Sequence, residues 1–406
     1  MKAYFLDVAQ GDSTLVITSD QKSILVDCNY SDMEFINKIK SILIDNNLSP
    51  DVIDAFFITH PHEDHIKGVG LINEHFSVNA IYESGHRLYV SDDEKPKHYS
   101  DMLTLIKKLK IKSRHHQLKA YEEIKIGTAK IKVFSPTKAF LSEERPTERD
   151  IHDQCLVFRL EDDSTSIMFT GDSSMESWRD HIVQYYSDVN GKTNILKSDI
   201  LSASHHGSNT FFFPTAKNSG DPYTKGVEKI SPDITIISAG KANRHGHPDQ
   251  KALAIYKKNS LTEDSVFQTK HLGTIILETS NGSYSIMTEY MQEAINGPTT
   301  DAKVEIMSEP QAHPFFPYKL NTEIKFTAKI INKPRDIGDL IYKWTVQNNS
   351  IKPIRNHENY EGQKGTSQIY KNKTAYHGTH TLLCEVRTTT GKKICSKHIE
   401  VKVSKQ

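Results

Sequence analysis

Cysteine is scarce in this chain. Only Cys28, Cys155, Cys384 and Cys395 occur in 406 residues, with no CxxC pair and no framework spacing. A disulfide scaffold is excluded, and a reducing compartment is expected. Net charge is absent as well: 51 basic residues balance 51 acidic ones. No global field therefore argues for nucleic acid or membrane, and any basic groove must be local. No stretch approaches the roughly 18 consecutive apolar residues of a membrane-crossing helix. Met1 to Asp7 enters a strand directly and lacks a signal-peptide layout. The expectation is a cytoplasmic protein with no membrane partner.

Histidine, by contrast, is abundant, with 20 in the chain. The densest stretch is His60-Pro61-His62-Glu63-Asp64-His65, straight after the apolar run Ala55 to Ile58. The run reads as a buried strand. Pro61 has no backbone donor and favours extended backbone before it, which suits a loop after a strand. Imidazole and carboxylate are ligands for zinc or manganese. The cluster is dense enough for two metals, one on His60 and His62, the other on Asp64 and His65. On a histidine-rich chain pairs arise by chance; four ligands spaced this closely behind a hydrophobic strand rarely do.

The length predicts two domains. Residues 1–292 alternate strands and helices and repeat one arrangement: an apolar strand that delivers a polar residue at its end. The spacing predicts strands over Tyr4 to Val8 and Ser23 to Asp27, and a helix from Met33 to Asn46. Two strands around Asp162-Asp163 follow, the second ending at Gly171-Asp172, then a helix from Trp178 to Tyr186. Ser142 to Asp150 reads as a charged loop. Lys107 to His116 is the one local basic run, read as a solvated surface, with a phosphate-tracking rim as the alternative. Residues 293–304 form the expected linker, and 305–406 read as a small antiparallel sandwich. There Cys384 and Cys395 are expected to face each other, as packed thiols, across a hairpin turned at Thr389-Thr390-Gly391.

Six motifs in order carry a resemblance. Phe5-Leu6-Asp7-Val8-Ala9-Gln10-Gly11-Asp12, Ile24-Leu25-Val26-Asp27, His60 to His65, Thr170-Gly171-Asp172, Ser204-His205-His206-Gly207-Ser208 and Asn243-Arg244-His245-Gly246-His247-Pro248 resemble the metallo-β-lactamase superfamily. Within it they look most like ComEC-type hydrolase domains, with Ala9 where a Gly is usual. The resemblance implies an α/β class, four-layer αββα fold and two divalent metal ions, Zn or Mn. It implies that His60 and His62 hold one metal, that Asp64, His65 and His206 hold the other, and that Asp172 bridges them. Many members add a third histidine to the first metal, and His152 is the candidate here. His205, His247 and Arg244 are candidate catalytic groups, as phosphoryl contacts or acids, with Asp64. His205 reads equally as an orienting residue, and Arg244 and His247 as a loop on the site edge. Asp12 and Asp27 are read as groups that fix the metal loop.

Two cations bridged by a carboxylate ionise a shared water near neutral pH and stabilise charge on non-bridging oxygens. The implied activity is hydrolysis of phosphodiesters, by a nuclease or nucleotide phosphodiesterase, with nucleic acid or a nucleotide as substrate. Small-ester or phosphorylcholine hydrolysis, or a metal-bound scaffold, are the alternatives. Phe211-Phe212-Phe213 could stack bases, form a lid or dimer contact, or be core. Ile341 to Asn348 and Thr374 to His380 look like the Ig-like sensor domain found with SMODS-type nucleotidyltransferases. That resemblance implies a nucleotide-signal or protein partner at the C-terminal domain, and a place in antiphage defence.

Overall fold

A computed structural model describes residues 1–30, 32–91, 94–138, 148–186, 194–214, 220–241, 243–280, 282–289, 302–311, 317–331, 340–347, 368–374, 378–388 and 393–404. Most of the expected loop at 142–150, residues 293–301 of the linker and the turn at 389–391 lie outside these residues. Contacts divide the chain into two units: Met1–Gly240 with His247–Glu289, and Lys241–Gly246 with Tyr290–Gln406.

The first unit is built on two mixed sheets. One has eight strands in the order Ser283–Thr288, Ile275–Ser280, Lys2–Phe5, Thr14–Ile17, Ser23–Val26, Ala55–Ile58, Ile81–Glu83 and His115–Gln117. The other has seven: Val266–Gln268, Ile234–Ile237, Ile200–Ser202, Thr165–Phe169, Val157–Asp162, Ala129–Ser135 and Glu123–Ile126. Side chains alternate across a strand, so a strand buried on both faces is apolar throughout. That is why Ala55–Ile58 reads as a continuous run. Ala55 and Phe57 enter a core shared by both sheets, beside Phe158 and Phe169. Phe56 and Ile58 point the other way, into a core formed with the helices Met33–Asp45, Val69–His75 and Lys97–Lys110. The second sheet does the same: Ile167 and Phe169 face the shared core, and Met168 faces Trp178, Val227 and Tyr256.

Several expectations shift in detail. The first strand stops at Phe5, so Asp7 and Val8 lie in the loop. The helix expected at Trp178 begins at Met175 and is π-helical over Trp178–Val183. The lysines Lys107, Lys108 and Lys110 occupy the last turn of Lys97–Lys110, where cations complement the helix dipole, which favours the solvated reading.

All described elements of the second unit after residue 302 are strands, in sheets of three and four. Trp344, Tyr370, Leu382 and Val386 are buried in its core. Cys384 and Cys395 do not face each other. The register sets Cys384 opposite Lys397 and Cys395 opposite Val386, which makes the two buried thiols diagonal neighbours. No helix among the described residues is long and apolar enough to cross a membrane.

Candidate metal centre

Parallel pairing brings the functional residues to one edge. Ser23–Val26 pairs parallel with Ala55–Ile58, and Thr165–Phe169 with Ile200–Ser202 and then Ile234–Ile237. Their C-terminal ends carry Asp27, Thr59-His60, Asp172, His205-His206 and Ser238. Gly171 lets the two sheets meet there: its φ is +49°, and a Cβ would sit 2.9 Å from Thr59 Cβ. After Pro61, His62 caps the short helix Glu63–Ile66, which turns His65 back until its ring lies 4.1 Å from that of His60. His205 and His206 are consecutive non-glycine residues at φ +50° and +55°. Such backbone costs about 1–3 kcal/mol per residue unless its surroundings fix it. Here His205 N donates to Gly171 O, Ser208 N to His205 O, and Ser204 Oγ to Ser173 O.

Hydrogen bonds behind the rings decide which nitrogens face inward. Asp27 is the anchor. Its carboxylate accepts from Thr59 N at 2.8 Å, from Thr59 Oγ1 at 2.7 Å and from His65 Nδ1 at 2.8 Å. Since Thr59 Oγ1 donates its proton to Asp27, it accepts from His60 Nδ1, at 3.2 Å. His206 Nδ1 donates to the Ser238 carbonyl at 3.1 Å. In all three histidines Nδ1 is the donor, so the Nε2 lone pair is directed inward, as metal coordination requires.

Two groups of ligand atoms result. His60, His62, His152 and Asp172 place ligand atoms within 4.8 Å of one another. His62 Nδ1 lies 3.1 Å from His60 Nε2 and 3.2 Å from His152 Nε2. Asp172 Oδ2 is 3.7 Å from His60 Nε2 and 3.9 Å from His152 Nε2. Around tetrahedral zinc with bonds of about 2.0–2.1 Å, ligand atoms stand about 3.3 Å apart, so these separations fit a cation. Asp12, His65, Asp172 and His206 form the second group by the same measure. Asp172 Oδ1 is 3.0 Å from His65 Nε2 and 3.9 Å from His206 Nε2. His65 Nε2 and Asp172 Oδ1 are both buried and lie 3.0 Å from each other, with no further hydrogen-bond partner among the described residues for either.

Two more carboxylates adjoin this group. Asp64 Oδ2 lies 3.2 Å from His206 Nε2. Asp12 Oδ2 instead meets the Nδ1 atoms, 3.5 Å away at His206 and 4.0 Å at His65. Although Asp12 is close enough to be counted with the group, it approaches the outward edges of the rings, so Asp64 suits a ligand better and Asp12 suits a support. Sequence spacing alone does not place Asp12 there. Its position depends on Asp12 N bonding Asp64 O, on Ser238 Oγ bonding Gly11 O, and on Gly11, where a Cβ would lie 2.4 Å from Asp64 O.

The electrostatics are those of a pocket built around positive charge. Burial pushes His60 well down, with the His65 imidazole adding to it, and takes His62 to about 4 with help from His152. His205 falls to about 4, again by burial. Burial also opposes charge on His206, but Asp172, Asp12 and Asp64 outweigh it and lift the group to about 9. His65 rises for the same reason, through Asp172 and Asp27. Burial takes Asp12 up to about 6. Against burial, the surrounding imidazoles hold Asp172 well below the carboxylate range.

The other candidates vary. His205 Nε2 is 3.5 Å from Asp172 Oδ2, and its Nδ1 is 3.1 Å from Thr210 Oγ1. The His247 ring lies 5.6 Å from that of His205 and 6.4 Å from that of His206. Arg244 is exposed, and its Nε donates to His245. Phe211, Phe212 and Phe213 are all buried, with Trp178 and Tyr256, so the core reading holds and base stacking is overturned. Residues that sequence spacing does not reveal also support the site. Gln154 Oε1 bonds the buried His86 ring, and Ser174 Oγ bonds Asp153, at the two residues that directly follow His152.

A model of the Metallo-beta-lactamase superfamily matches residues 6–209. The chain is similar to ComE operon protein 3 of Bacillus subtilis (strain 168), 25% identical over 300 residues, covering 70% of this chain and 34% of that protein. It is also similar to Exodeoxyribonuclease WalJ of Streptococcus pneumoniae serotype 2, 38% identical over 71 residues, covering 18% of this chain and 24% of that protein. The chain thus spans about a third or less of each relative. Among solved structures, Zn(2+)-bound PqqB from Methylobacterium extorquens is similar with a TM-score of 0.40 and 11% identity, over 69% of this chain and 100% of that one.

Proposed function

Since the chain belongs to the metallo-β-lactamase superfamily, whose members are generally hydrolases, we propose that it is a metal-dependent hydrolase of phosphodiesters, with nucleic acid or a nucleotide as substrate. Asp172 carries this reading. One of its oxygens turns to His60 and His152 and the other to His65 and His206, an arrangement suited to bridging two ions. On this reading His60, His62 and His152 hold one divalent ion and Asp64, His65 and His206 the other, both of the zinc or manganese class. Such ions supply an ionised water and neutralise charge developing on phosphoryl oxygens.

The chain's own residues hold that arrangement. Asp27, Thr59 and the Ser238 carbonyl fix the inward nitrogens. On this reading His205, kept neutral by burial, and His247 beside it contact a phosphoryl group. The similarity to a protein named an exodeoxyribonuclease supports DNA within the substrate class. The second unit, on its sequence resemblance, senses a nucleotide signal or targets the enzyme.

The test is incubation of the purified protein, loaded with Mn or Zn, with single- and double-stranded DNA, RNA and cyclic dinucleotides. The control is a variant carrying Asp64→Ala and His65→Ala. Cleavage of at least one substrate, lost in the double variant, is expected. Hydrolysis of a generic ester but none of these would overturn the phosphodiester reading.

A further inference from the structure

Lys270 is a cation that the fold holds beside this site with no counter-ion among the described residues. It follows the edge strand Val266–Gln268, in the short turn Thr269–Leu272. The preceding residue is pinned: buried Thr269 Oγ1 accepts from Ala239 N at 3.1 Å and donates to Ala239 O at 3.3 Å. Ala239 directly follows Ser238, whose carbonyl holds His206 Nδ1. The backbone bearing Lys270 is therefore registered to a candidate metal ligand through two residues. The Lys270 ammonium reaches back to the site edge, where it donates to the His247 carbonyl at 3.4 Å, a long and weak hydrogen bond. The His247 ring in turn lies 5.6 Å from that of His205.

Several other partly buried lysines of this unit are answered by carboxylates, among them Lys38 by Glu289, Lys40 by Asp51 and Lys132 by Glu123. Lys270 is half-buried, yet no carboxylate among the described residues is paired with it. Burial alone shifts its amine, downward to about 8. A desolvated, unanswered ammonium is costly to fold, and a permanent structural role would call for an acidic partner. It is suited to meet an anion that arrives with the ligand. An ammonium has three donors, and the His247 carbonyl takes one of them.

We propose that Lys270, with the adjoining His247, forms an anion subsite at the edge of the metal centre that receives a phosphate group of the substrate. The subsite rests on the phosphodiester reading for the identity of its ligand. A point-charge ammonium suits a phosphate without demanding one orientation, so the subsite favours binding along a polyanionic substrate over recognition of a base.

The test uses the full metal-loaded chain and two variants. Lys270→Met keeps the apolar stem and removes the charge, and Lys270→Arg keeps a cation. Inorganic phosphate is titrated calorimetrically into each, and KM and kcat are measured with bis(4-nitrophenyl) phosphate. Metal content and melting temperature serve as controls. Expected is at least a tenfold loss of phosphate affinity in Lys270→Met, with affinity within about threefold of the parent in Lys270→Arg, equal metal content, and KM raised more than kcat is lowered. Parental phosphate affinity in Lys270→Met, or no phosphate binding by the parent, would overturn the subsite. Phosphate binding that depends on Lys270 in a protein that cleaves no phosphodiester would instead keep the subsite and remove the hydrolase reading.

Discussion

At the residue scale the candidate site depends on a carboxylate set behind the inward-facing rings. Asp27 fixes His65 directly and His60 through Thr59. Loss of such a supporting partner typically lowers metal affinity 10–100-fold. Asp27→Asn is expected to show a loss of that size in chelator competition, and an unchanged affinity would show that the rings are held by something else. His206 gives a prediction in pH. Its pKa is raised from 6.5 to about 9. In the metal-free protein its contribution to stability is therefore full below pH 6.5 and is lost as pH rises through about 9. A metal on Nε2 must displace that proton. Titration of metal at pH 8 in buffers of different ionisation heat should report proton release; identical apparent heats would contradict it. The stretch from His60 to His65 was legible in sequence because its candidate ligands are local. Asp12 was read only as a group that fixes the loop, since its place beside the rings follows from Ser238 meeting Gly11, 227 residues apart; Lys270 was not legible, because its place follows from Thr269 meeting Ala239, 30 residues apart.

At the scale of elements, apolar strands ending in a polar residue were readable because both faces of each are buried. Their ends cluster because the pairing is parallel, which periodicity does not reveal. The aromatic run Phe211 to Phe213 shows the limit. Three phenylalanines beside a histidine motif suit either stacking or core, and packing against Trp178 and Tyr256 decides for core. Phe212→Ala should then cost about 3–5 kcal/mol of stability in chemical denaturation. A cost below about 1 kcal/mol would mean that the ring is not packed as described. Register is the other level that patterning does not settle. The bulge between Val386 and Arg387 falls beside the pairing that sets Cys395 opposite Val386 and leaves the two thiols diagonal.

For the whole molecule, the candidate metal centre belongs to one unit and the described strands after residue 302 to the other. Metal that binds only the native state stabilises the part that binds it. Removal of metal with a chelator should lower one thermal transition and leave the other within about 1 °C; a uniform shift would show that the units unfold together. The most direct measurement is a metal titration of the metal-free chain, with bound ion per chain and phosphodiester hydrolysis followed together, for the parent and for Asp172→Asn. Expected is activity that rises with the second equivalent, and an Asp172→Asn protein at least about 100-fold less active that holds fewer than two ions at the same metal concentration. Full hydrolysis at one ion per chain, or parental activity in Asp172→Asn, would contradict the bridged two-metal centre.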